Sequence, residues 1–136
     1  MRFSVSSAPT SLAMLGVLFS LMPAQGVDLN GAWANDASVC TKVFVKSGNI
    51  VSFTPDAELY GAGLIVEGTR ATGTFQKCTI KSMKNEGGEI HLIAACSTGV
   101  MVSDVPVTVK FVGEDRISLT QSGPTPFETP YVRCRL

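Results

Sequence analysis

The residues best suited to chemistry in this 136-residue chain are four cysteines, Cys40, Cys78, Cys96 and Cys134, a single histidine, His91, and two arginines near the C-terminus, Arg133 and Arg135. Paired thiolates serve zinc or thioredoxin-type redox chemistry when they lie in a C-x-x-C spacing, and no pair here has it. An even number without that spacing, in a chain that opens like an exported one, reads as two disulfides with three possible pairings. The favoured pairing is Cys78–Cys96 with Cys40–Cys134; Cys40–Cys78 with Cys96–Cys134 is its rival. In the chain-entropy picture the longer loop of Cys40–Cys134 stabilises by about 4–5 kcal/mol, against about 3 kcal/mol for Cys78–Cys96.

His91 alternates with Ile90 and Leu92 and so reads as solvent-facing, a lone imidazole with no carboxylate set beside it. Neither a Gly-x-Ser-x-Gly elbow nor a His-Glu-x-x-His motif occurs. Asp56 and Glu58 stand two apart, too few for a calcium shell. Gly61-Ala62-Gly63 lacks the lysine of a phosphate loop and reads as a turn leading into a strand. Arg133 and Arg135 share a strand face and suit either an anion or packing on an aromatic ring. No catalytic residue, metal or cofactor is expected, and the chain reads as non-enzymatic.

The elements that position these residues are short strands. Lys77–Cys96 organises the rest as a β-hairpin with a cysteine near each end. Ile90, Leu92, Ala94 and Cys96 share one face of its second arm, and Cys78, Ile80 and Ser82 share one face of the first. A three-residue Glu86-Gly87-Gly88 loop, with glycine in the left-handed position, sets Asn85 opposite Glu89 and Cys78 opposite Cys96. A loop one residue longer or shorter would shift that register. Thr41–Lys46 and Ile50–Thr54 read as strands about Ser47-Gly48-Asn49. Pro55–Gly63 is a loop with one helical turn after Pro55. Leu64–Glu67 and Arg70–Phe75 form a hairpin about Gly68. Asp104–Val112 carries Val105, Val107, Val109 and Phe111 inward, and Pro106 argues for an edge or a bulge. Arg116–Thr120 follows with Ile117 and Leu119 inward. Gln121–Pro130 is a stiff connection, and Tyr131–Leu136 ends as a strand with Val132, Cys134 and Leu136 on one face. The fold class is therefore all-β, a small antiparallel barrel or sandwich of about eight to ten short strands. A barrel is preferred because tying Cys40 to Cys134 brings first and last strands together and removes sheet edges.

Residues 1–26 have the layout of a secretory signal peptide: Arg2, an apolar run from Ser11 to Met22, the break at Pro23, and small-x-small at Ala24-Gln25-Gly26. The run is short for a membrane span. Cleavage after Gly26 leaves residues 27–136 as one soluble domain, periplasmic or secreted. Lys and Arg number 11 and Asp and Glu 11, so losing Arg2 leaves 10 against 11, a net charge of −1. Without a basic block, nucleic acid and anionic membrane are disfavoured partners.

Leu29-Asn30-Gly31-Ala32-Trp33 resembles the Gly-x-Trp signature that opens lipocalin-like (calycin) barrels. The resemblance implies that Gly31 permits close backbone approach, that Trp33 closes one barrel end, and that Arg133 or Arg135 from the last strand packs across the indole, a cation–π contact of about 0.5–2 kcal/mol. The run is also similar to the opening of small periplasmic metalloprotease-inhibitor barrels, although this chain carries two cysteine pairs where those inhibitors have one. Two further stretches are candidate contact loops: Pro55–Gly63 with Leu59 and Tyr60, and Gly123–Tyr131 with Phe127 and Tyr131. The functional expectation is a monomeric binding module for a small apolar ligand or a protein. The alternatives are a structural or envelope-maintenance protein without a ligand, or a protease inhibitor.

Overall fold

A computed structural model describes residues 28–136; the signal peptide expected over residues 1–26 lies outside them. The described residues are all-β. Ten strands run in chain order: β1 (Gly31–Ala34), β2 (Phe44–Ser47), β3 (Ile50–Phe53), β4 (Gly63–Glu67), β5 (Arg70–Gly73), β6 (Lys77–Glu86), β7 (Glu89–Ser97), β8 (Val102–Gly113), β9 (Arg116–Gln121) and β10 (Phe127–Arg133). Eight of them close into an antiparallel barrel in the order β1-β10-β9-β8-β7-β6-β5-β4, and β2 and β3 form a separate hairpin. First and last barrel strands do meet, with Trp33 opposite Arg133. No helix among the described residues is long and apolar enough to cross a membrane.

Both expected disulfides are present. Cys78 and Cys96 face each other across β6 and β7 with Cα atoms 4.0 Å apart, the short spacing of a non-hydrogen-bonded pair. That register is reached by a route the sequence does not announce. The turn is two residues, Gly87-Gly88, with Glu86 opposite Glu89. Both glycines have positive φ, 57° and 85°, as a type I′ turn requires. The shorter turn alone would misalign the cysteines by one residue. A bulge between Ile80 and Ser82 restores the register, because one extra residue on one strand offsets one fewer in the loop. The bulge also turns Ser82 away from the cysteine face: Ser82 stands opposite Ile93, and Met83 takes the place opposite Leu92.

Cys40–Cys134, with Cα atoms 5.5 Å apart, joins different parts from those expected. Cys40 is not on a strand. Asp36 accepts from the Ser38 backbone N–H and caps a 3-10 turn, Ala37–Val39, which runs into a single α-turn, α1 (Cys40–Val43). The strand expected from Thr41 therefore begins at Phe44. Cys40, Val43, Phe44 and Ala57 pack on Ala32, Ala34 and Ile65 from the outer face of β1 and β4, and Cys134 belongs to this second core. The disulfide thus pins an outer layer to the exit of β10. The barrel seam is closed by backbone pairing of β1 with β4 and β10.

The last strand also differs. It begins at Phe127, inside the expected connection, and ends at Arg133. Tyr131 is opposite Ile117, which is buried inside, so Tyr131 and Arg133 point inward and Val132 and Cys134 outward. Pro106 sits within β8, opposite Ile93, in a barrel that has no edge strand. Its carbonyl accepts from the Ser122 N–H, one residue past the end of β9, so its ring nitrogen faces the terminal rung of the β8–β9 ladder, where the missing N–H forfeits one end bond and leaves the interior of the ladder intact.

The register separates two barrel ends. The turns Gly68-Thr69, Gly87-Gly88 and Glu114-Asp115 lie at the end where Asp28 enters. The connections 74–76, 98–101 and 122–126 lie at the other, where β1 leaves for the outer layer. The barrel core consists of Leu29, Trp33, Val66, Ile90, Leu92, Ala94, Cys96, Val107, Val109 and Ile117.

Candidate functional site

One end of the barrel is plugged. Trp33 is fully buried and its indole Nε1 donates to the Leu29 carbonyl at 2.9 Å. The Arg133 guanidinium carbon lies 4.3 Å from the ring centroid. Arg133 Nη2 donates to the Asp28 carbonyl at 2.8 Å and Nη1 to the Asn30 carbonyl, so one arginine clamps the entering segment over the tryptophan. Gly31 has φ 130°, and a Cβ there would stand 3.2 Å from Arg133 Nη1; the residue is glycine because the clamp passes this close. Arg135 takes no part in the stack. It is exposed and donates to Asp115 Oδ2 at 2.6 Å, while Arg133 Nε is 3.3 Å from Asp115 Oδ1. Arg135's hydrogen bond, and the charges of both arginines, hold the Asp115 carboxyl below its ordinary value of 3.8.

The opposite end is open. Inside the barrel, an apolar cavity of about 80 Å³ is lined by residues including Ile80, Leu92, Ala94, Val107 and Ile117. It continues into a mouth of about 330 Å³ bounded by Ala62, Thr74, Phe75 and Tyr131. Six residues border both spaces: Leu64, Ala71, Gln76, Cys78, Leu119 and Gln121. Thr74 is committed to the wall, its Oγ1 accepting from the Gly63 N–H at 2.9 Å. The polar groups left at the neck are the Gln76 and Gln121 amides and the Tyr131 phenol. Burial pushes the Tyr131 phenol above its ordinary 10.0, as expected where a charge is poorly solvated. No lining residue of either space is charged. A larger depression of about 460 Å³ lies on the outer wall over Arg70, Lys77 and Thr79, without the enclosed apolar floor of the mouth.

Around the mouth stand exposed apolar side chains. Phe75 is 74% exposed, Val100 93%, Val102 74% and Phe127 57%, with Met101 beside them. The three connections at this end, 74–76, 98–101 and 122–126, hold no charged residue.

The sequence-level candidates therefore scatter. Trp33, Gly31 and Arg133 assemble at the plugged end, and Arg135 lies outside it. Cys78 and Cys96 line the cavity; Cys40 and Cys134 belong to the outer layer. Leu59 and Tyr60 occupy a 3-10 turn, Ala57–Tyr60, with Leu59 exposed and Lys42 Nζ 5.4 Å from the Tyr60 ring centroid; neither caps the barrel. Phe127 stands on the rim and Tyr131 in the mouth, both on a strand. His91 is not isolated: its Nε2 lies 3.6 Å from Glu89 Oε2 and 3.8 Å from Glu86 Oε2, and its Nδ1 3.2 Å from Thr108 Oγ1. Glu89 lies two residues before His91 on β7, so alternation already puts it on the same face; Glu86 reaches the histidine from across the Gly87-Gly88 turn, which alternation within one strand does not show. Gln76 and Gln121 were missed. Gln121 carried a readable signal, because it continues the inward series Ile117, Leu119 with an amide; Gln76 had none.

What these features define is a closed eight-stranded antiparallel barrel with a tryptophan plug at one end and an uncharged mouth at the other. Comparison with protein-family models, with curated proteins and with solved structures finds no significant match.

Proposed function

We propose that the protein is an exported, non-enzymatic binding module that takes a small ligand in the open mouth of its barrel. The observation that carries this reading is the continuity of the mouth with the interior cavity. The interior alone, at about 80 Å³, falls well short of the roughly 300–1,000 Å³ of small-molecule sites; the mouth, at about 330 Å³, enters that range. Export is supported by the two disulfides, which persist in oxidising compartments, and by the signal-like layout of residues 1–26. Kinship with calycin barrels is supported by the arrangement of Gly31, Trp33 and Arg133.

A thermal-shift screen with small uncharged amphiphiles tests the reading. Binding to the folded state raises Tm by mass action, and Ala71→Leu, which fills a wall shared by cavity and mouth, abolishes the shift. An unchanged Tm across the panel, or a shift that persists in Ala71→Leu, contradicts it.

The exposed rim favours a second reading, in which a protein partner docks over Phe75, Val100 and Met101. Phe75→Ser with Val100→Ser then removes partner capture while ligand shifts in Tm remain. Titration against a panel of secreted proteases separates these readings from the inhibitor alternative: unchanged activity supports them, and stoichiometric loss of activity supports the inhibitor.

A further inference from the structure

Resting on the mouth as the ligand site, we infer that the site selects electrically neutral ligands, and that Gln76 and Gln121 read a neutral hydrogen-bonding head while the cavity beneath takes a short apolar end.

The first support is the absence of charge. Neither cavity nor mouth is lined by an ionisable side chain other than Tyr131, and the surrounding connections 74–76, 98–101 and 122–126 are equally bare. A carboxylate or ammonium entering here gives up water and gains no counter-ion, which is costly in an apolar wall. The raised Tyr131 phenol shows the same environment resisting negative charge.

The second support is the chemistry of the neck. Gln76 and Gln121 come from different parts of the barrel, the 74–76 connection and the end of β9, yet border both spaces. Each amide offers donors and an acceptor, so together they match a head that both gives and takes hydrogen bonds. A primary amide is the simplest such group. Both amides are half-buried; a ligand that covers them without offering a partner strips their water and leaves them unpaired, which costs more than a made bond returns, so the pair discriminates against such ligands.

The third support is size. The cavity beneath the neck is smaller than the roughly 150 Å³ apolar cavity that holds a benzene ring in another protein, so it accommodates a short alkyl end and no ring. The ligand class is thus a short-chain neutral amide, or a molecule presenting that same head and tail.

Isothermal titration of the full mature chain with hexanamide and with hexanoate at pH 7 tests this. Hexanamide is expected to bind at least about tenfold more tightly than hexanoate, since the tail is shared and only the head's charge differs. In the Gln76→Leu/Gln121→Leu double variant hexanamide affinity falls by about tenfold or more, with Tm within a degree or two of the parent confirming a folded barrel. Equal binding of the two probes, or hexanamide affinity unchanged in the double variant, overturns neutral-head selection while leaving the mouth as a ligand site. Binding of neither probe overturns the ligand-site reading itself.

Discussion

The two ends of the barrel are made by the same strands and solve opposite problems. At the plugged end the clamp is fully engaged. Trp33 fills the interior, Arg133 covers it, and the guanidinium spends its donors on the Asp28 and Asn30 carbonyls. The turns around it carry ion pairs such as Glu67–Arg70, Lys84–Glu86 and Glu89–Lys110. Exposed pairs of this kind add little stability, but they keep the end solvated. At the open end the interior stays partly empty, the polar groups at the neck are two neutral amides and a phenol, and aromatic and aliphatic side chains face water. The difference teaches that packing and hydrogen bonding concentrate at one end, while unfilled interior and exposed apolar surface gather at the other.

Four perturbations break or sharpen this contrast. The largest concerns the two disulfides. Cys40–Cys134 closes a separation of 94 residues and Cys78–Cys96 one of 18, so the chain-entropy model gives about 4.7 and about 3 kcal/mol. Cys40→Ser/Cys134→Ser should lower urea-unfolding stability by more than Cys78→Ser/Cys96→Ser; the reverse order would place the stabilising latch near the mouth. Next, Trp33→Ala should cost about 3–5 kcal/mol, whereas Phe75→Ala at the opposite end should stay within about 0.5 kcal/mol. Equal costs would erase the division of labour. Third, Ala94 is buried against the cavity, and Ala94→Val should raise stability by about 0.5–2 kcal/mol while weakening ligand binding. A loss of stability would mean that the cavity is already well packed.

The smallest effect is acid dependence at the plugged end. Asp115's carboxyl is held below 3.8 chiefly by its hydrogen bond from Arg135. A depressed folded-state value means the contribution is fully present above the unfolded value and is lost as pH falls through the lowered one. Tm should therefore decline a little more steeply below about pH 4 in the parent than in Asp115→Asn. Identical profiles would dismiss the ion pair as a stabilising contact.

Much of the fold was legible because it rests on two-residue alternation. Val105 through Phe111 and Ile90 through Cys96 declare their inward faces directly, and the cysteine parity follows. The outer layer was not legible. Val43 and Phe44 are consecutive and both buried, because a helical turn hands over to a strand between them, and β-branched Val43 reads as strand on propensity alone. The Cys78–Cys96 register was reached from a wrong turn length, with the Lys81 bulge supplying the residue the shorter Gly87-Gly88 loop omits. Alternation cannot locate a bulge. The last strand misled for a similar reason: prolines at 124, 126 and 130 suggested a connection, yet Pro130 lies within β10. Of the site, Tyr131 was singled out as a contact residue but placed on a loop. The mouth itself depends on which strand ends converge, and no local pattern carries that.

The most direct test is a backbone-amide NMR titration of the mature protein with hexanamide. Shift changes confined to Ala71, Gln76, Leu119, Gln121 and Tyr131, with Gly68, Gly87 and Asp115 unmoved, are the predicted result. Changes clustered around Trp33 and the plugged-end turns, or none anywhere, would contradict the assignment of recognition to the open end.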